Sequence, residues 1–146
     1  MGWGRWLILL GIVLLLAACH RAVETAVPIP TAPPQQPADI IGDAERGERL
    51  YWQPILGSNG APGCITCHSL AEGIILVGPS HYGLADYASD VVPEQTAEAY
   101  LWTSIVNPNA HLTDGFVADE MYGQYAANLT VQEIADLVAF MLTLHQ

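Results

Sequence analysis

Lysine is absent from this chain, and only four arginines oppose its 15 aspartates and glutamates. The segment from Asp43 to Gln146 has 13 of these acidic residues but only Arg46 and Arg49 as cations, a net charge of −11. Proteins bind nucleic acids through basic side chains that neutralise phosphates, so this balance argues against nucleic-acid binding. It favours partner proteins with basic docking surfaces.

The N-terminal apolar run is too short to span a bilayer. It extends over 13 residues from Trp6 to Ala18, after Arg5, whereas a membrane span needs roughly 20 residues. Its length fits the apolar region of a secretory signal peptide. The run ends in Leu16-Ala17-Ala18-Cys19, which resembles the lipobox of bacterial lipoproteins. We therefore predict a lipoprotein signal peptide at residues 1–18 and lipidation of Cys19. The protein is then exported and lipid-anchored at the periplasmic, outer face of the cell membrane.

Cysteine is scarce, with three residues in the chain, and two of them form a motif. Cys64 and Cys67 are three positions apart, and His68 follows directly. Two residues three positions apart share a face of a helical turn. Both sulfurs can therefore reach the two vinyl groups along one edge of a haem. His68 can then ligate the iron from the proximal side. The pattern predicts one covalent haem c, with thioether bonds to Cys64 and Cys67.

Other interpretations of these cysteines are weaker. A structural zinc site needs four protein ligands, and neither a second Cys pair nor a His-x₃₋₅-His follows the motif. A redox dithiol is expected in a βαβ context, whereas the flanks here are rich in Pro and Gly and then helical. A chance match is the remaining alternative. With two cysteines assigned to haem, Cys19 would be a lone thiol in an exported protein. That favours its acylation over an ordinary cleavage site or an uncleaved anchor helix.

A proline-rich segment precedes the domain. Residues 19–42 comprise the predicted lipidated cysteine and a linker with five prolines, at positions 28, 30, 33, 34 and 37. In a polyproline II conformation of about 3.1 Å per residue, this linker reaches at most roughly 70 Å. The remaining residues, 43–146, suffice for one small domain.

Helical patterns recur through the domain. Asp43 is a plausible N-cap for a first helix that Pro54 and Gly57 end, and residues 54–63 then read as a loop. A second helix is predicted from Glu94 to Val106. The last begins at a capping box, Thr130-x-x-Glu133. Its apolar face is formed by Val131, Ile134, Leu137, Val138, Met141 and Leu142. No segment alternates with period two for long, so the predicted fold is all-α with long loops.

Taken together, these parts resemble a class I monohaem cytochrome c of the bacterial, membrane-anchored type. The resemblance covers Asp43 to Gln146 and implies three to five helices around one haem. Gly47 and Tyr51 match the glycine and aromatic residue of the family's first helix, which crosses the last helix near the aromatic residue that Phe140 matches. Pro79 matches the proline that packs beside the proximal imidazole. The segment Tyr100 to Ala110 resembles a helix of many bacterial members, including membrane-tethered ones.

The same resemblance implies a distal iron ligand at Met121. The family commonly has proline after this methionine, and this chain has Tyr122. Residue chemistry also favours Met121, because Met1 is lost with the signal peptide and Met141 lies on the core face of the last helix. His81 and His111 are the alternatives. His68 and Met121 together would be the metal ligands, raising the reduction potential and filling both axial positions.

The expected function is electron transfer, with no catalytic residues. The resemblance implies a membrane-tethered carrier, either mobile or a subunit of a respiratory or photosynthetic complex such as alternative complex III. A haem enzyme or gas sensor with a displaceable distal ligand is an alternative, and a lipoprotein with a structural metal is another. The expected partners are redox proteins or complex subunits with basic docking surfaces, together with the membrane that holds the lipid anchor.

Overall fold

The computed structural model describes residues 35–146. The predicted signal peptide, Cys19 and the first part of the linker lie outside the described residues. The described part contains five α-helices and one small hairpin: α1 Ala44–Tyr51, β1 Ile55–Leu56, β2 Ala61–Pro62, α2 Leu84–Tyr87, α3 Ala97–Val106, α4 Tyr125–Asn128 and α5 Val131–Met141. Three 3₁₀ turns, Cys64–Thr66, Ala88–Asp90 and Pro108–Ala110, complete it. The predicted all-α architecture is confirmed. Among residues 35–146, no helix is long and apolar enough to cross a membrane.

The first and last helices cross at a glycine. A Cβ on Gly47 would overlap the carbonyl oxygen of Asp136 and lie 2.8 Å from the Cβ of Phe140. Only a residue without a side chain lets the two backbones approach this closely. One turn along α1, the buried ring of Tyr51 packs against Phe140 with centroids 5.2 Å apart. The crossing that the family resemblance implied is therefore present.

An ion pair reinforces this crossing. Asp136 on α5 is buried and accepts hydrogen bonds from Arg46 Nε at 2.9 Å, from the Asp43 backbone N–H at 2.8 Å and from Gln132 Nε2 at 2.8 Å. Burial by itself raises the pKa of Asp136, but these hydrogen bonds outweigh it and leave the pKa below its ordinary value. Asp43 also caps α1 by accepting from Arg46 N. The N-terminus of α1 is thus tied to α5 by satisfied polar groups.

The last helix forms much as its sequence predicts. The capping box is present, with Thr130 N donating to Glu133 Oε2 at 2.7 Å and Glu133 N donating to Thr130 Oγ1 at 3.2 Å. Most of its apolar face is buried, namely Ile134, Leu137, Val138 and Met141. Val131 is an exception, because it lies in the first turn and is 45% exposed, and Leu142 is half-buried as the residue that caps the C-terminus of α5.

Two local predictions are corrected. The second predicted helix, now α3, begins at Ala97 rather than Glu94, with Thr96 as its N-cap. Glu94 has φ 68°, a left-handed conformation that a right-handed helix excludes. The predicted loop at residues 54–63 contains a hairpin in which Ile55 pairs with Pro62 and Leu56 with Ala61. Strands of two residues are too short to leave a period-two pattern in the sequence.

Candidate functional site

The described domain contains a cavity of about 790 Å³. Its volume lies within the range of about 300–1,000 Å³ that is typical of ligand and cofactor sites. Cys67, His68, Pro79 and Met121, four of the residues that the sequence singles out, line it. The remaining wall is largely apolar and includes the buried Leu84, Leu101, Ile105 and Met141.

Both cysteines of the motif lie on one tight turn. The backbone N–H groups of Cys67 and His68 donate to the Cys64 carbonyl at 3.1 and 2.9 Å. Thr66 closes the turn by donating its hydroxyl to the Gly63 carbonyl at 2.6 Å. Cys64 and Cys67 are free thiols, so no disulfide competes for them. Cys67 lines the cavity, while Cys64 packs against the core, where burial raises the pKa of its thiol to about 12.

His68 is buried in the cavity wall and has one ring nitrogen committed. Its Nδ1 lies 2.9 Å from the Pro79 carbonyl oxygen. A carbonyl only accepts, so Nδ1 has the proton and Nε2 keeps a free lone pair. Burial lowers the pKa of His68, although the bond to Pro79 partly opposes that shift. A neutral imidazole with a carbonyl-fixed tautomer is the form in which histidine binds metals.

Gly78 fits against the ring of His68. A Cβ at this position would overlap the imidazole and lie 2.8 Å from Nδ1. The Gly78 N–H also donates to the Cys67 carbonyl at 2.9 Å, and this bond joins the Gly78 segment to the cysteine turn. The glycine at position 78 therefore leaves room for the ring, and the Pro79 carbonyl fixes its tautomer.

His81 has a role that sequence reasoning missed. Its ring stacks on His68, with centroids 4.0 Å apart and planes 19° apart. Its Nδ1 shares a hydrogen bond of 3.0 Å with the hydroxyl of Tyr51. Burial is the main cause that lowers the pKa of His81 well below its ordinary value, and the nearby His68 lowers it further. His81 therefore lies beside the predicted proximal ligand. Its position two residues after Pro79 was the only sequence signal of this placement.

Met121 lines the cavity from a loop that is fixed on both sides. It is half-buried and packs against the core, whereas the alternative ligand His111 also lines the cavity but is exposed. Before Met121, Asn109 donates to Asp119 Oδ1 at 2.8 Å and accepts from Asp119 N at 3.0 Å. After it, the hydroxyl of Tyr122 accepts from Asn128 at 2.8 Å. Tyr122, which stands where the family commonly has proline, thus anchors the loop to α4.

These donors fit a c-type haem. The cavity offers an uncharged imidazole nitrogen and a thioether sulfur, and unpaired thiols lie on the adjacent turn. Both axial donor types and the thiol pair are those of c-type haem proteins. In residues 35–146, no group of three or more His, Cys, Asp or Glu side chains is arranged to hold a bare metal ion.

A mostly helical domain with these donors in one cavity suits a protein that transfers electrons through haem, and the comparison with known families agrees. The family model for cytochrome c matches residues 44–145, which is nearly all of the described domain. The chain belongs to the cytochrome c family, whose members bind covalent haem c, and the expected class I type of fold is confirmed. No curated protein and no solved structure matches the chain.

Proposed function

We propose that this chain is a single-haem electron carrier tethered to the outer face of the cell membrane. Cys64 and Cys67 attach the haem, His68 is the proximal ligand and Met121 is the distal ligand. The observation that supports this best is the hydrogen bond from His68 Nδ1 to Pro79 O at 2.9 Å, which leaves Nε2 free inside the cavity. The proposed function is electron transfer between proteins rather than catalysis.

The protein's own residues would prepare the site for that role. The haem supplies a one-electron couple between ferric and ferrous iron. Buried apolar side chains around the cavity, Leu84, Leu101, Ile105 and Met141, keep water away from it. A dry, apolar surrounding affects the reduction potential. The hydrogen bonds at Pro79 and Asn109 hold the two ligand-bearing segments in place.

Replacing Met121 tests the distal ligand. Met121→Ala is expected to abolish the sulfur-to-iron charge-transfer band at the red end of the oxidised spectrum and to lower the midpoint potential, because the thioether favours ferrous iron. Met141→Leu is the matched control, since this second methionine lines the same cavity from α5. The band should survive in that variant. A band that persists in Met121→Ala, or a spin-state change in His111→Ala instead, would show that the ligand is misassigned.

The same proteins test the alternative of a gas sensor or haem enzyme. A carrier with both axial positions filled should bind carbon monoxide poorly in the reduced wild type and readily in Met121→Ala. Ready binding by the wild type would support the alternative, because it would show that Met121 is displaced under ordinary conditions.

The lipid anchor rests on the sequence alone, since Cys19 lies outside the described residues; the lipobox, the short apolar run and the lone thiol support it. Several acyl chains on Cys19 would hold the protein stably on a membrane, where a single chain binds only marginally. We expect Cys19→Ser to give either unprocessed precursor or a form that salt washes from membranes. Fractionation followed by intact mass measures both. A mature protein that begins at another residue and stays membrane-bound would refute the anchor.

The surface offers two kinds of partner contact. Thirteen carboxylates against two arginines make the domain negative, which favours encounter with a basic partner. Ile74, Ile75 and Leu76 form an uncharged stretch that is 49%, 66% and 50% exposed and lies outside the cavity lining, so bound haem would not cover it. The charge suits a mobile carrier, and the apolar stretch suits a fixed subunit of a complex such as alternative complex III.

Ionic strength separates the two kinds of contact. For a mobile carrier, stopped-flow reduction with a basic partner should slow steeply with added salt, because the field is screened beyond a Debye length of about 8 Å at physiological salt. For a subunit held by apolar contacts and its lipid, the rate inside the complex should barely change. A rate that rises with salt toward the native partner would contradict a basic docking surface.

A further inference from the structure

His81 differs from the rest of the cavity wall because it is a polar ring placed flat against the predicted proximal ligand. The imidazoles of His81 and His68 are stacked, with centroids 4.0 Å apart and planes 19° apart. Burying a polar group costs free energy unless it is hydrogen-bonded. The bond between His81 Nδ1 and the Tyr51 hydroxyl, 3.0 Å long, meets that requirement.

The support behind His81 is rigid. Tyr51 is fully buried at the end of α1, and its ring packs against Phe140 of α5. The backbone of His81 is fixed as well, since its N–H donates to the Ser69 carbonyl at 2.8 Å. His81 is therefore attached both to the helix crossing and to the residue that follows His68.

Three contacts then define the orientation of the His68 ring. Pro79 accepts from Nδ1 and fixes one end of the imidazole, while Gly78 touches its edge. His81 covers one face. Without the third contact, the imidazole could still turn about its Cβ–Cγ bond within the range of angles that the hydrogen bond to Pro79 tolerates. An aliphatic side chain would fill the same space without matching the flat face or presenting a dipole to it.

We propose that His81, held by Tyr51, is a positioning residue that fixes the plane of the proximal imidazole. Its polar ring also contributes to the reduction potential, because a dipole beside the ligand interacts differently with the ferric and the ferrous state. This inference rests on the proposed function, in that His68 must be the proximal ligand.

Proton NMR of the ferric holoprotein and redox titration test the inference together. The spread of the haem methyl shifts depends on the plane of the axial imidazole. A change in overall stability alone does not alter that spread. We expect His81→Leu to retain covalent haem and the charge-transfer band, to change the methyl shift pattern and to shift the midpoint potential. His81→Phe keeps a flat ring without the dipole, so it should preserve the methyl pattern while shifting the potential in the same direction.

Two further variants keep the test decisive. Leu129→Ile changes the packing of a buried residue that does not line the cavity, so both readings should stay at their wild-type values. Tyr51→Phe removes the hydrogen bond and should change the methyl pattern in the direction of His81→Leu. If His81→Leu does not accumulate, the potential of His81→Phe and the methyl pattern of Tyr51→Phe, each compared with the wild type, decide. Wild-type methyl shifts in His81→Leu, or a wild-type potential in both His81 variants, would overturn the inference.

The failure of this inference is distinguishable from that of the proposed function. If His68→Ala leaves the haem spectrum unchanged, His68 is not the proximal ligand and the proposed site is wrong. If His68→Ala removes the low-spin spectrum while the His81 variants behave as wild type, only the role of His81 is wrong.

Discussion

Replacing both Cys64 and Cys67 by serine is expected to release all of the haem into the organic layer of an acid-acetone extraction. The wild-type protein should keep its haem in the protein precipitate, and its intact mass should include one haem. Serine preserves the turn, which depends on backbone bonds to the Cys64 carbonyl at 2.9 and 3.1 Å rather than on the sulfurs. The loss would therefore report the missing thioether bonds and not an unfolded segment.

Thr66→Ser is the matched control for this experiment, because residue 66 lies between the two cysteines on the same turn. Its hydroxyl can still donate to the Gly63 carbonyl, and its haem should resist extraction as in the wild type. Single serine variants should keep the haem through one remaining bond. Haem that stays covalent in the double variant would mean that it is attached elsewhere.

Gly47→Ala is expected to cost about 3 kcal/mol of the free energy of unfolding, at the upper end of what added methyl groups cost in packed cores. The new Cβ would overlap the backbone carbonyl of Asp136, which cannot rotate away as a side chain can. Relief requires α1 and α5 to separate, and that also loosens the bonds of Asp136 to Arg46 and to Asp43 N. Urea unfolding of the holoprotein measures the change.

Gly73→Ala is the control for the glycine itself. A Cβ there meets no atom within 4 Å, and Gly73 does not line the cavity. Its φ of 66° lets alanine cost about 1–2 kcal/mol through backbone strain alone, so its effect should be smaller than that of Gly47→Ala. Equal effects of the two substitutions would show that the close approach at Gly47 does not limit stability.

Local features of the site could be predicted from the sequence, and distant ones could not. The Cys64 to His68 turn and the Thr130 capping box depend on neighbours three or four positions away, so their patterns are visible in the chain. The family resemblance added the crossing at Gly47. The stack of His81 on His68 required the path of the chain around Pro79, which spacing alone does not give.

Three other features depend on the folded chain and could not be predicted from the sequence pattern. Asp136 is the buried partner of Arg46, 90 residues away, and the apolar pattern of the last helix does not mark it as such. Tyr122 was visible as a departure from the family, but its bond to Asn128 depends on how α4 folds back. Glu94 was predicted to be helical because helix propensity is an average over many residues. It does not predict that this one residue is left-handed, and the helix therefore begins at Ala97.

The end of the linker is fastened to α5 before the chain enters α1. Ile41 O accepts from Gln132 at 2.9 Å, Asp43 N donates to Asp136 at 2.8 Å, and Gly42 lies so close to Ala135 that a Cβ would overlap its carbonyl. If the proposed membrane anchor pulls on the linker, the tension would reach α5 through these contacts. The segment from Cys64 to Pro79 comes later in the chain, so tension that enters through the linker would reach it only after these contacts break.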